Sequence, residues 1–159
     1  MTKTPRPSTL DNKARELVKL LYDKCATCNS HEDLQWAHVF GGYYNSVRWN
    51  PFNYARQCPR CNALHNDNPR PYLRWFEQEY GQEYLDRLEK LHSRTDKYYA
   101  EDYKKVYAGL TNCIASAKMK MVASDRIKLF EGEFGKLPEI VRFTKKQLDR
   151  IRDDELSVL

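Results

Sequence analysis

Two pairs of cysteines constrain the fold of this 159-residue chain more than any other feature. Cys25 and Cys28 form one Cys-x-x-Cys pair, Cys58 and Cys61 form a second, and 29 residues separate the pairs. A two-residue gap lets both thiolates of a pair reach one ion, and two pairs supply the four ligands of a tetrahedral zinc site. The alternative is four buried free cysteines, although independent cysteines rarely pair twice at this spacing. We therefore predict one structural zinc ion, because four thiolates leave no position for water or substrate.

The segment from Cys25 to Asn66, called the finger below, predicts two strands and a helix. Residues 34–40 indicate a strand that Gly41-Gly42 ends, and residues 54–57 indicate a returning strand. Pro59 then opens a short helix, since proline suits the first helical turn. The predicted fold class is therefore α+β and mostly helical, with a small zinc-clamped ββα motif embedded among α-helices.

Helices are predicted on both sides of the finger. Ser8 or Thr9 is expected to cap a first helix that runs to about Asp23. The inner face of that helix is predicted to carry Leu17, Leu20 and Leu21. After the finger, apolar residues recur at spacings of three and four as far as residue 121, with Gly81 as the break between two helices.

The predicted organisation has three parts. Residues 1–8 form a flexible tail, residues 9–121 form the finger with its helical bundle, and residues 122–159 form a helical extension of unknown role. The extension is expected to end with a helix over 144–155, which opens with a capping box. An apolar stripe over 103–121 either packs inside the chain or forms the face of a homodimer.

Charge and composition set the class of partner and compartment. The net charge of +5 and the pI near 8.9 are compatible with a nucleic-acid partner. No apolar run approaches the roughly 20 residues that a membrane span needs, and Met1–Pro7 is too polar for a signal peptide. Cysteines in metal spacing fit a reducing cytoplasm better than a disulfide scaffold. Cys113 is the cysteine left without a role.

Three polar residues of the finger favour a metal-dependent nuclease. His38 lies on the first strand, Asn53 just before the second, and Asn62 directly after Cys61. This is the order of the His-Asn-His nuclease finger, in which the histidine takes a proton from water and the middle asparagine fixes the loop. A helix residue then holds a divalent cation near the scissile phosphate, and an amide oxygen suits magnesium. Without this placement, a core histidine would be the better interpretation of His38.

The cation site of this finger has few candidate ligands. Such fingers often carry an aspartate before the histidine, where this chain has Ala37. His65, one helical turn after Asn62, is a further candidate magnesium ligand, and Asp67 is another. A solvated surface histidine is an equally good interpretation of His65.

These residues resemble a known family. The segments 48–53 and 57–62, with the Ala37-His38 dipeptide, resemble the phage Rap (NinG) recombination endonucleases, and the similarity covers roughly residues 24–110. The resemblance implies Mg²⁺- or Mn²⁺-dependent cleavage of branched DNA, such as Holliday junctions, D-loops and flaps, in the cytoplasm of a phage-infected bacterium. Phage endonuclease VII is a more distant resemblance, which shares the two-pair zinc clamp and the asparagine after the last cysteine.

A basic surface is predicted around the finger. Residues 43–75 contain five arginines, no lysine and one acid, a local excess of +4. Arginine forks match phosphate geometry and give affinity without reading sequence. The candidate DNA-binding residues are Arg48, Asn50, Arg56, Arg60, Arg70 and Arg74.

The sequence therefore predicts a structure-selective DNA endonuclease that acts on branched recombination intermediates. A homodimer is expected, because two symmetric cuts need two sites. Two alternatives stay open. One is a non-enzymatic zinc module that binds nucleic acid, which the absent acid at Ala37 favours. The other is a nuclease of the same chemistry that cuts linear duplex DNA.

Overall fold

Seven α-helices and one two-stranded sheet make up the part of the chain that the structure, a computed structural model, describes: residues 3–41, 45–94, 97–118 and 123–134. This mostly helical content was predicted. The elements in chain order are α1 (Pro7–Leu21), β1 (Gln35–His38), α2 (Asn45–Arg48), a 3-10 turn (Pro51–Asn53), β2 (Tyr54–Gln57), α3 (Pro59–Leu64), α4 (Arg70–Tyr80), α5 (Gln82–His92), α6 (Ala100–Ala117) and α7 (Ala123–Phe134).

The two strands pair antiparallel, with Gln35 opposite Gln57 and His38 opposite Tyr54, and α3 follows against both strands. The chain order strand, strand, helix is the predicted one. However, β1 ends at His38 and not at Phe40. The reason is that the backbone N–H of Phe40 donates to the side chain of Asn53, 2.9 Å away, and so leaves the strand ladder.

Helix α4 is fastened to the sheet through one tyrosine. The Tyr72 hydroxyl donates to the carbonyl of Ala37 on β1 at 2.7 Å and accepts the N–H of Ala55 on β2 at 2.9 Å. Gly81 separates α4 from α5, as predicted. Its φ of +93° is open to glycine, and its N–H closes α4 by donating to the Glu77 carbonyl at 2.8 Å.

The first helix starts earlier than expected. Its N-cap is Arg6, whose side chain makes no capping bond, and Pro7 occupies the first turn, so the prediction of Ser8 or Thr9 as the cap was wrong. Proline fixes the φ that a first helical residue needs. Leu17 lies on the inner face as predicted, whereas Leu20 is 42% exposed because the inner face turns towards Ala14 and Val18.

The apolar stripe of the longest helix packs inside the chain. Val106, Leu110, Ile114 and Ala117 are buried where α6 contacts α1 and α7, while Tyr107 stays partly exposed. Intramolecular packing is therefore the correct one of the two predicted roles for these positions. Met121, the last residue of the predicted stripe, lies outside the described residues.

Helix α7 contributes to the same core. Phe130 is fully buried with its ring 5.3 Å from that of Phe52, and the ring of Phe134 lies against Gly109. A Cβ atom at position 109 would come within 3.0 Å of the Phe134 ring, so glycine permits this approach of α7 to α6.

The division at residue 121 stays a prediction, and the helix predicted over 144–155 lies outside the described residues. None of the described helices is both long and apolar enough for a membrane span.

Candidate functional site

The four predicted zinc ligands form one cluster. The sulfur atoms of Cys25, Cys28, Cys58 and Cys61 all lie within 4.8 Å of one another, and those of Cys28 and Cys58 are 3.7 Å apart. A tetrahedron with zinc–sulfur bonds of roughly 2.3 Å has its sulfurs about 3.8 Å apart. The cluster can therefore hold one zinc ion with all four thiolates.

Local backbone structure prepares the cluster for a metal. Asn29 takes a positive φ of 61°, which turns the chain so that its N–H donates to the Cys25 carbonyl at 3.0 Å. Cys58 is the N-cap residue of α3. Burial opposes a charge on Cys25, but backbone N–H groups of Cys28, Cys58 and Thr27 lower the pKa of its thiol to about 7. Thiolate is the form that binds zinc.

The fifth cysteine lies apart from this chemistry. Cys113 is fully buried on α6 and is not a member of the four-cysteine cluster. Burial raises the pKa of its thiol to about 12, so it remains neutral and packs as a small apolar residue.

Three of the predicted site residues line one open cleft of ≈ 520 Å³ between β1 and α3, called the cleft below. They are His38, Asn62 and His65, and Gln35 and Asn66 also line the cleft. The antiparallel strands and the helix that follows them bring together residues separated by more than twenty positions. His38 and Asn62 therefore border the same space.

His38 is held by the main chain. Its Nε2 lies 2.9 Å from the backbone carbonyl oxygen of Arg48. A carbonyl oxygen only accepts, so Nε2 carries the hydrogen and Nδ1 of the neutral ring has the free lone pair. Burial lowers the pKa of His38 below its ordinary value, and the bond to the Arg48 carbonyl only partly opposes this. The ring is therefore a neutral base near pH 7.

Asn53 lies behind the cleft and ties its loop together. Its side-chain oxygen accepts the N–H of Phe40 at 2.9 Å, and its Nδ2 donates to the carbonyls of Phe40 and Val47 at 3.0 and 3.1 Å. The side chain is completely buried, so it has no access to substrate. These bonds connect the end of β1 to α2.

The two candidate cation ligands on the helix side differ. Asn62 donates from Nδ2 to the side-chain oxygen of Gln35 at 3.1 Å, which leaves its own oxygen for a cation. His65 has its Nε2 2.8 Å from the Val39 carbonyl, and its Nδ1 is buried with no hydrogen-bond partner. The Val39 carbonyl only accepts, so Nε2 carries the hydrogen and a metal role for His65 would use Nδ1, which this structure buries. Asp67 is exposed and does not line the cleft.

The predicted DNA-binding residues divide into two groups. The first group is bound within the protein. Arg48 forms a bidentate ion pair with Asp11, and Arg56 donates to the backbone carbonyls of Tyr22 and Leu34. Asn50 is buried and caps the 3-10 turn by accepting the Phe52 N–H. The exposed members, which have access to phosphate, are Arg60, Arg70 and Arg74.

Two residues of α1 near the site were missed in the sequence. The Arg15 guanidinium lies 4.9 Å over the Trp36 ring, which is itself 4.3 Å from the His38 ring and lines the cleft. The Asp11 carboxylate accepts two hydrogen bonds from the Arg48 side chain. One signal was available, because Asp11 shares the inner face of α1 with Ala14 and Val18, where an acid needs a partner.

Comparison with known proteins identifies a family. The family model described as Bacteriophage Lambda NinG protein matches residues 12–121, which include all four cysteines and the whole cleft. No curated protein and no solved structure matches the chain.

Proposed function

The chain belongs to the bacteriophage lambda NinG family, and from this premise we propose that it is a metal-dependent endonuclease for branched DNA recombination intermediates. The observation that carries the proposal is the shared cleft, in which a base-competent His38 and the amide of Asn62 border the same space. The cysteine cluster beneath α3 supports it, since a closed zinc site would hold this helix against the strands.

The proposed chemistry is hydrolysis of one phosphodiester bond. His38 accepts a proton from water at Nδ1, the water oxygen bonds to phosphorus, and the bond from phosphorus to the 3′ oxygen breaks. A divalent cation, when bound, supplies Lewis-acid stabilisation of the leaving oxygen. The products are a 5′-phosphate and a 3′-hydroxyl, and the proton that the leaving oxygen needs comes from solvent.

The cation is proposed to be Mg²⁺ or Mn²⁺ at the side-chain oxygen of Asn62. Ala37 cannot coordinate a metal, so the substrate phosphate and water must complete the shell, which suits magnesium because it gives up its waters reluctantly. His65 is a ligand in this proposal only if substrate binding exposes its buried Nδ1, while Nε2–H keeps its bond to Val39. Otherwise it braces α3 against the end of β1.

The proposed DNA surface combines predicted and unpredicted arginines. Arg60 lies on α3 two residues before Asn62, and Arg70 and Arg74 lie on the exposed side of α4. Arg15 lies over the ring of Trp36, which lines the cleft. Phosphate contacts of this kind recognise shape and not sequence. Contacts from Arg48 or Arg56 would require their bonds within the protein to open.

A homodimer and a cytoplasmic location in the infected host complete the proposal. Paired cuts across a four-way junction need two active sites, which a twofold dimer supplies. The buried residues of α6 are unsuitable for its interface, so another surface has to form it.

The decisive experiment compares a four-way junction, a flap and the matching linear duplex, with and without Mg²⁺. We expect Mg²⁺-dependent cleavage that favours the branched substrates. His38→Ala should reduce cleavage by about 10²- to 10⁴-fold, the usual contribution of a general base, while junction binding persists. His31→Ala is the matched control, because His31 is an exposed histidine bonded to the Asp23 carbonyl.

Each alternative has its own outcome. Junction binding with no cleavage at any Mg²⁺ concentration would indicate a non-enzymatic zinc module, which Ala37 and the buried Nδ1 of His65 favour. A preference for the linear duplex would indicate a different biological role for the same chemistry. Undiminished cleavage by His38→Ala would remove His38 from the mechanism.

A further inference from the structure

A buried carboxylate on α1 accepts three hydrogen bonds from the chain that leads into the 3-10 turn. Asp11 is 9% exposed. Its Oδ1 accepts Arg48 Nε at 3.1 Å and Trp49 Nε1 at 2.9 Å, and its Oδ2 accepts Arg48 Nη2 at 2.7 Å. The arginine fork and the indole are thus fixed by one side chain, in the planar geometry that gives such pairs their directional precision.

The same arginine contacts the candidate base with its other end. Its guanidinium is fixed by Asp11, and its backbone carbonyl oxygen is the partner of His38 Nε2 at 2.9 Å. Arg48 therefore links a helix outside the finger to the imidazole inside it. If the carbonyl moved away, Nε2 would lose its acceptor and the hydrogen could occupy either ring nitrogen.

We propose that Asp11 is a positioning residue that keeps the Arg48 carbonyl against His38 and thereby holds the imidazole in the Nε2–H form, with Nδ1 free to accept a proton. The part that concerns catalysis rests on the proposed nuclease function, whereas the part that concerns the tautomer does not. Asp11 also lies just before the span matched by the family model, which starts at residue 12.

Stability alone is a poor explanation for such a pair. Exchanging a buried ion pair for well-packed apolar residues is often neutral or stabilising, so the pair is weak support for a purely structural role. The charges that act on His38 come from α1 and α2: Asp11 raises its pKa, while Arg48 and Arg15 lower it. Removing the Asp11 charge leaves both arginines uncompensated, so the pKa of His38 should fall further.

The test is Asp11→Asn, which keeps the side-chain shape and removes the charge. Long-range ¹H–¹⁵N spectra of the full-length protein report the tautomer of the His38 ring. We expect the Nε2–H form in the wild type, and a mixture of tautomers with a lower His38 pKa in the variant. For junction cleavage, kcat should fall about 10- to 100-fold, a range typical of residues that orient a functional histidine, with little change in KM.

Two further variants make the result specific. Arg48→Lys keeps the charge but loses the fork, so it should mix the tautomers even if Asp11→Asn fails to fold. Glu16→Gln, the same exchange at an exposed position of α1, should leave the His38 spectrum and kcat unchanged.

The outcomes separate this proposal from the proposed function. A His38 ring that stays entirely Nε2–H in Asp11→Asn and Arg48→Lys, with kcat unchanged, would overturn the positioning role. A wild-type protein that cuts no DNA would overturn the nuclease proposal, while the spectra would still decide the role of Asp11.

Discussion

At the scale of residues, the candidate site is held by two kinds of contact, one within the finger and one from a helix outside it. The four cysteines and His38, Asn53 and Asn62 are close in sequence, so the path of one short segment decides where they lie. The partner of Arg48 is Asp11, 37 residues away on another helix. No local pattern encodes that pairing, which made Arg48 look like a free phosphate ligand.

The protonation of His38 gives a prediction for the pH dependence of cleavage. Burial lowers its pKa below 6.5, and the proposed reaction needs the neutral ring. Activity should therefore persist as the pH falls through 6.5 and decline only at lower pH. An NMR titration of His38 and a kcat–pH profile measure this, with His31→Ala as the control. An acid limb at or above 6.5 would contradict the assignment of His38 as the base.

The lowered pKa of His38 also makes the free energy of unfolding decrease towards acid pH. In the unfolded chain the imidazole takes up its proton near pH 6.5. In the folded protein it does so only at a lower pH. Between the two values the unfolded state binds more protons, so the free energy of unfolding falls as the pH is lowered. His38→Ala should reduce the acid sensitivity of the melting temperature over this interval.

At the scale of elements, order was more predictable than boundaries. The strands and α3 follow from apolar runs, Gly41-Gly42 and Pro59, which are local signals. The end of β1 depends on the Asn53 side chain, which captures the N–H of Phe40 from thirteen residues away. The start of α1 depends on proline geometry, which prevailed over the side-chain caps available at Ser8 and Thr9.

The finger should depend on its metal. Cys58 occupies the N-cap position of α3 and belongs to the cysteine cluster, so Cys58→Ser removes one zinc ligand at the base of the helix. Structural zinc contributes about 10–16 kcal/mol in small fingers, comparable with the roughly 5–15 kcal/mol stability of a whole domain. We expect loss of bound zinc and a lower melting temperature, measured by metal analysis and circular dichroism.

Cys113→Ala is the matched control for this experiment. It removes a cysteine that lies in the core and outside the cluster, so bound zinc should stay at one ion per chain. Chelation of the wild type should reproduce the loss of stability of Cys58→Ser. Full zinc content and an unchanged melting temperature in Cys58→Ser would contradict the clamp.

At the scale of the whole molecule, α1 and α7 both pack against the segments that form the candidate site. Helix α1 brings Arg15 over Trp36, and α7 brings Phe130 against Phe52. The sequence assigned the basic surface to residues 43–75 alone. The structure adds Arg15 beside the cleft, which depends on the packing of α1 against β1 and β2. Such proximity could not be predicted, because nothing local to α1 indicates which face of the finger it covers.

Arg15 should act through the salt-dependent part of DNA binding. Arg15→Ala is expected to weaken binding to junctions of any sequence and to reduce the slope of log K against log salt by about 1, the share of one phosphate contact. Lys19→Ala, one turn further along the exposed side of α1, provides a comparison. Equal slopes for Arg15→Ala and the wild type would exclude a phosphate contact at Arg15.

The packing of α7 predicts that this helix unfolds together with the rest of the core. Phe130 packs its ring against Phe52, and Phe52 directly precedes Asn53, which orders the loop behind the cleft. Phe130→Ala should cost about 3–5 kcal/mol, the usual penalty for an emptied core position, in one cooperative transition followed by calorimetry. Cleavage should fall with it as the loop loosens, whereas Lys128→Ala on the exposed side of α7 should change neither. Two separate transitions, or an unchanged melting temperature, would show that α7 is an appendage, as the predicted boundary at residue 121 implies.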